Sequence, residues 1–271
     1  MGSSCPPPSL GAGCDRGKPR VDSSSGVSGG TNRLLDSLPD APRNRLLTAV
    51  SHVRLEPNTV LFEAGQRIDV VDFPCTCVVS LITPFDDGSS VEVASVGSEG
   101  IVGVPVVLGG SLAVDAICSL GGWIDRIEAI AFTREVERDV DLHEVVNDYL
   151  RSVFNQLSQA VACNRLHSTT ERLARWLLAG SDRLGTDEFA ITHQLLGHLL
   201  GSGEATVSRA AQHLQAGRLI TTRRGRITIV DRPGLEAVAC ECYAVIKSEL
   251  DGFIGRAVIR FGGARTPAVR G

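Results

Sequence analysis

Three groups of residues in this chain have types and spacings that could do chemistry. The first lies in "GHLLGSGEATVSRAAQHLQAG", Gly197 to Gly217, where glycines four apart close a short apolar helix and a second helix follows at once. Such a corner can push a helix into a groove, yet the start of the second helix carries an acid, Glu204, where a phosphate-rich partner would call for a base. The second group is Arg223, Arg224 and Arg226, at the tip of two β-type runs in "RLITTRRGRITIVD". Arginines on a hairpin beside a presented helix suit the sugar-phosphate backbone of a duplex. The third is sulfur and imidazole: Cys163 with His167 at i and i+4, and Cys240 with Cys242. If the helices bearing them approached, they would offer a Cys3His set of zinc-ligand types. Against this, Cys163 reads as core filler and His167 as a helix-end residue, while Cys240 and Cys242 cannot share a helix face. No metal site is therefore expected.

The other cysteines, at 5, 14, 75, 77 and 118, are too scattered for a disulfide scaffold, and reduced, mostly buried thiols are expected. Cys75 and Cys77, as alternate residues of a strand, would share a face and seldom bridge. His143, His193, His198 and His213 read as solvated. No nucleophile–base pair, phosphate loop or dinucleotide fingerprint occurs, so an enzyme is not expected. No apolar run is long enough for a membrane span, and the first residues lack the apolar core of a secretory signal, so the expected location is cytoplasmic. Charge is divided unevenly. Residues 31–162 hold nine Arg and no Lys against nineteen acids, whereas residues 163–232 hold ten Arg against six. Only the second half suits a polyanion.

The elements that must position these groups fall in a clear order. Residues 1–30, rich in Ser, Gly and Pro, read as a disordered arm. "NRLLDSLPDAPRNRLLTAV" gives short helices broken by Pro39 and Pro42. From Val53 to about Ile130, short Val- and Ile-rich runs alternate with turn signals. Among them Asp87-Gly88 marks a hairpin between Val79–Phe85 and Ser90–Val96. A small antiparallel sandwich or barrel follows, giving a domain over 31–140. A stripe at three- and four-residue spacing, Val146, Leu150, Val153, Leu157 and Val161, then marks a long helix over 141–167. Its face would cover the sheets, pair with a second copy, or do both. Ser168 and Glu171 form a capping box that restarts the chain, with Leu173, Trp176, Leu177 and Leu184 on the buried face. A second domain spans 168–251, and 252–271 reads as a tail. Within it Thr192 caps the first helix of the corner, Gly197 permits close crossing, Gly201 permits the turn, and Gly217 ends the second helix. Corner plus basic hairpin make a winged helix-turn-helix.

Sheet domain, long helix and winged helix-turn-helix in this order resemble the Crp/Fnr superfamily of bacterial transcriptional regulators. "ITHQLLGHLLG", "TVSR", "GRITIVDRPGLEAVACECY" and "ACNRLHSTTERLARWLL" carry the resemblance, which covers roughly residues 32–250. It implies an α+β fold: an antiparallel β-barrel like a cyclic-nucleotide-binding domain, a dimerisation helix and a winged helix-turn-helix. It further implies a homodimer that reads an inverted repeat in double-stranded DNA through the major groove, tuned by an effector in the barrel, with RNA polymerase as a further partner. The family's base-contacting positions fall on Glu204, Ala205, Ser208 and Arg209. Phosphate contacts fall on Thr192, Ser202 and Thr206, beside the wing arginines. Arg209 suits guanine O6 and N7. Well-known members carry Arg then Glu where this chain has Glu204 then Ala205, and a glutamate accepts from cytosine N4 instead, so the usual half-site does not transfer. Cys5 and Cys14 lack the clustered spacing of the family's iron–sulfur sensors. The family's phosphate cassette, a Gly-Glu followed by Arg-Ser/Thr-Ala, is also missing from "VGSEGIVGVPVVLGG", and no Arg or Lys occurs between Arg67 and Arg126. A cyclic phosphate needs a cation, so no cofactor is expected and cyclic AMP or GMP is not the expected effector. Regulators of the same fold that answer to cyclic nucleotide, redox state or metal are the alternatives.

Overall fold

The computed structural model describes residues 20–21 and 30–262. The expected arm, with Cys5 and Cys14, lies almost wholly outside these residues. Among them the first half runs β1 (Arg20–Val21), α1 (Arg33–Ser37), α2 (Asp40–Ala49), β2 (Ser51–Leu55), β3 (Val60–Phe62), β4 (Val70–Pro74), β5 (Val78–Pro84), β6 (Ser90–Val96), β7 (Asp115–Leu120) and β8 (Gly122–Glu128). The strands make two antiparallel four-stranded sheets, ordered β1-β2-β8-β4 and β3-β7-β5-β6. The hairpin expected at Asp87-Gly88 is there, with Pro84 opposite Ser90 and Gly88 at φ 79° in the loop.

Val53, Cys77, Val79, Cys118 and Ile124 fill the space between the sheets. Of the sandwich or barrel that strand spacing allows, the sandwich forms, and the barrel that the resemblance implies is corrected, because the two sheets are not closed into one. The chain changes sheet at bends, from β4 to β5 through residues 75–77 and from β7 to β8 at Gly121, so no hydrogen-bonded ladder runs round the corner. Cys75 and Cys77 thus sit in a bend and not on a strand.

The second half runs α3 (Ala129–Arg138), α4 (Val140–Leu166), α5 (Thr169–Leu184), β9 (Glu188–Ala190), α6 (His193–Leu199), α7 (Glu204–Ala216), β10 (Ile220–Arg223), β11 (Arg226–Ile229), α8 (Arg232–Val238) and α9 (Cys242–Gly262). At 27 residues α4 is about 40 Å long. Its apolar residues divide between two faces. Leu142, Val145, Val146 and Tyr149 are buried in the chain's own core, and Leu150 and Val153 pack partly against it. Phe154 and Val161 stay 69% and 73% exposed, with half-buried Leu157 between them. The single stripe expected for pairing therefore needs correction. Val146 is consumed internally, and Phe154, which the three-four count passed over, belongs to the open face.

The capping box forms as expected: the Glu171 amide donates to Ser168 Oγ at 3.3 Å, and the Ser168 amide donates to Glu171 Oε2 at 2.7 Å. Leu173, Trp176 and Leu177 of α5 then share a core with Val78, Ile82, Ile117 and Leu120 of the sheets. Buried polar contacts reinforce this seam. Trp176 Nε1 donates to Glu92, and Arg183 Nε donates to Glu99 Oε1 at 2.8 Å. The expected tail is also corrected as far as residue 262. There α9 continues past residue 251 and lays Phe253 and Ile254 into the core of α1 and α4, with the Phe253 ring 5.7 Å from that of Tyr149.

Candidate nucleic-acid interface

The corner is built from local chemistry. Thr192 Oγ1 accepts from the Leu195 amide at 3.1 Å, starting α6 where the sequence placed it. A Cβ at Gly197 would stand 2.9 Å from the Ser202 carbonyl oxygen, so only glycine lets the next segment pass this close. Gly201 has φ 55°, the left-handed conformation that turns the chain between the helices. Val207, Ala210, Ala211 and Leu214 bury the inner face of α7 against Leu196, Leu199 and α5. At its end, Gly217 remains right-handed, and Arg218 at φ 60° makes the left-handed turn expected of the glycine.

Burial of that inner face leaves the opposite one open. Glu204, Ala205 and Arg209 are exposed on the first turns of α7, and Arg209 Nη2 donates to Thr206 Oγ1 at 3.1 Å. Thr192 is exposed and Thr206 half-buried near the same surface. Two more of the sequence-assigned contacts, both half-buried, have partners within the chain. Ser208 Oγ lies 2.9 Å from His193 Nδ1, and Ser202 Oγ accepts from Arg172 Nη2 at 3.2 Å. His193 and His198 are half-buried, not solvated. Sequence reasoning missed Arg172, which is 8% exposed. Its Nη1 donates to the Leu200 carbonyl at 2.9 Å and to Asn164 Oδ1 at 3.0 Å, tying the end of α6 and the turn to α4. A cation there also opposes the negative end of α6.

Beside α7 stands the wing. Ile220–Arg223 pairs with Arg226–Ile229, and β9 adds a third strand. Arg224 and Gly225 have φ 50° and 74°, the pair of positive values that a tight two-residue hairpin turn requires. Arg223, Arg224 and Arg226 are all exposed at the tip. Arg226 Nη1 meets Glu188 Oε1 at 3.0 Å, an exposed ion pair. Such pairs are worth about 0–1 kcal/mol, so a phosphate can displace Glu188 at little cost.

The loop where a phosphate cassette would lie is closed by a cation from elsewhere in the chain. Arg183 reaches out of α5 to Glu99, and Glu99 also accepts from the Gly97 amide at 3.2 Å. Nearby a cavity of about 120 Å³ opens between β6, α4, α5 and α9, lined by Glu92, Arg175, Arg183 and Lys247 among others. It lies outside the space between the two sheets, where the resemblance placed an effector.

The sulfur and imidazole groups come together against expectation. One ligand atom from each of Cys163, His167, Cys240 and Cys242 lies within 4.8 Å of every other. Cys240 and Cys242 need no common helix face, because the chain breaks between α8 and α9 and turns both toward the end of α4. The hydrogen bond shared with Cys240 holds the Cys163 thiol down at about 5, while burial works the other way. Cys240 is pushed up in exchange.

Residues 171–238 match the family described as the Crp-like helix-turn-helix domain. None of the curated proteins matches the chain in sequence. Solved structures share the fold at low identity. FixK2 of Bradyrhizobium japonicum superposes with a TM-score of 0.61 at 16% identity, over 70% of this chain and 98% of that one. A Crp-family transcriptional regulator of Thermus thermophilus gives 0.59 at 18%, over 69% and 95%. The c-di-GMP-responsive global regulator CLP of Xanthomonas campestris gives 0.57 at 17%, over 69% and 97%.

Proposed function

We propose that this chain, which has the fold of Crp/Fnr-family regulators and carries a Crp-like helix-turn-helix domain, is a transcriptional regulator that reads double-stranded DNA as a homodimer. One observation carries the reading. The exposed first turns of α7, with Glu204, Ala205 and Arg209, stand beside a wing whose tip exposes three arginines. In such a docking the helix N-terminus meets base edges while the wing and Thr192 hold phosphates. Thr206 is kept as a phosphate contact, whereas Ser202 and Ser208 act by positioning the turn and α6.

Exposed Phe154 and Val161 on α4, with half-buried Leu157 between them, suit pairing with a second copy, which would present two α7 helices to an inverted repeat. Glu204 favours cytosine at the position it faces, through its N4 amine. The effector is not a cyclic nucleotide in this reading, because Glu99 and its loop are already held by Arg183. As a DNA-binding regulator the protein works in the cytoplasm, and RNA polymerase enters as a further partner by analogy of fold alone.

Selection of bound sequences from a random duplex pool tests this. The wild-type protein should enrich an inverted repeat with half-sites about one helical turn apart. Glu204→Arg should change the preferred base at one position of each half-site. A pool left unenriched by the wild type refutes DNA reading, and an unchanged half-site with Glu204→Arg refutes the role of the acid.

A further inference from the structure

We propose that Cys163, His167, Cys240 and Cys242 form a structural zinc site that fastens the end of the long helix to the segment leaving the DNA-reading domain. The distances match a single tetrahedral ion. Zinc–sulfur and zinc–nitrogen bonds of about 2.3 and 2.05 Å at the tetrahedral angle put ligand sulfurs about 3.8 Å apart and sulfur and nitrogen about 3.6 Å apart. Cys163 Sγ and Cys240 Sγ are 3.6 Å apart, and Cys242 Sγ and His167 Nδ1 are 3.5 Å apart. An iron–sulfur cluster spreads its thiolates over several irons, so four ligand atoms all within 4.8 Å of one another suit a mononuclear site better. Three thiolates and one imidazole are the ligands of a closed zinc centre with no position left for substrate.

The surroundings complete the arrangement. With Nδ1 turned to the sulfurs, His167 Nε2 lies 3.2 Å from Glu241 Oε2, the carboxylate–histidine contact that fixes tautomer and ring orientation at zinc sites. Gln159 Nε2 donates to Cys242 Sγ at 3.0 Å, a bond that stabilises thiolate. The three cysteines form a small buried cluster of their own, separate from the apolar cores. The ligands come from the last turn of α4, the residue after it, the α8–α9 junction and the first residue of α9. An ion here would set the angle between the pairing helix and the winged domain, and its binding energy would add to the stability of that junction.

The test uses the full chain, purified without added metal or chelator. Elemental analysis should find about one zinc per chain, and Cys240→Ser/Cys242→Ser should lose it. Cys77→Ser/Cys118→Ser, which alters buried thiols between the sheets, should keep it. Because the ligand variant could misfold, wild-type apoprotein is also titrated with cobalt(II). One equivalent should produce the visible d–d and thiolate charge-transfer bands of a tetrahedral site, lost on adding zinc. Wild-type protein without zinc whose apo form gives no such bands overturns the proposal. Zinc retained by the folded Cys240→Ser/Cys242→Ser protein overturns the ligand set, and iron with acid-labile sulfide overturns the metal.

Discussion

Replacing Arg183 by methionine should unfasten the DNA-reading domain from the sheets. Arg183 and Glu99 have side chains 7% and 5% exposed, with Nε and Oε1 2.8 Å apart. Arg183 Nη2 also donates to the Ser95 carbonyl at 3.0 Å. Methionine keeps most of the stem but strands the Glu99 carboxylate, which then retains the Gly97 amide at 3.2 Å. Breaking a buried pair from one side costs about 3–5 kcal/mol, since the remaining charge stays out of water. The neighbouring cavity can admit water, which favours the lower figure of about 3 kcal/mol. For a chain of this size each kcal/mol moves the midpoint by about 2–4 °C, so Arg183→Met should lower Tm by about 6–12 °C. Removing both charges restores an apolar contact in place of the pair. Arg183→Met/Glu99→Met should therefore recover most of the loss. Thermal unfolding followed by circular dichroism, at one fixed protein concentration, reads all three variants and the wild type. A single variant within about 2 °C of wild type, or a double variant less stable than Arg183→Met, would refute the reasoning.

Three further outcomes follow from the same structure. Arg223→Ala and Arg224→Ala should each weaken binding evenly across sequences and lower the slope of log affinity against log salt by about 1; a changed base preference would contradict a phosphate role. Phe154→Asp should convert a dimer to monomer in light scattering, because it puts a charge on the exposed face of α4, and an unchanged mass would place the pairing surface elsewhere. Gly201→Ala should cost about 1–2 kcal/mol for the left-handed backbone, beyond which its Cβ, 3.1 Å from Val91 Cγ2, must displace that side chain. Equal urea midpoints for Gly201→Ala and wild type would contradict this.

The DNA-facing corner was legible in the sequence because its determinants are local. Thr192, Gly197 and Gly201 each act on backbone within a few residues, and the basic hairpin follows directly. What the sequence hid depends on distant packing. Nothing near Arg183 announces Glu99, 84 positions earlier, so the loop looked short of a cation that α5 supplies. The apolar stripe of α4 marked a helix with something to cover, but not which part the chain's own core would take. Phe154 and Val146 therefore exchanged roles. The last helix runs on past residue 251, where the sequence reads as a tail, because Phe253 and Ile254 anchor it in a distant core. Cys240 and Cys242 cannot share one helix face, but they flank a break between helices that turns both toward α4.

The central claim is that α7 reads base edges, and the affinity of Arg209→Ala for the selected duplex tests it most directly. Arg209 is exposed on α7 and its nearest tie, to Thr206, is on its own helix, so removal should leave the fold intact. The account predicts a loss of about 1–3 kcal/mol, roughly 5- to 150-fold, together with relaxed preference at one base pair of each half-site. Unchanged affinity with an unchanged selected sequence would contradict it.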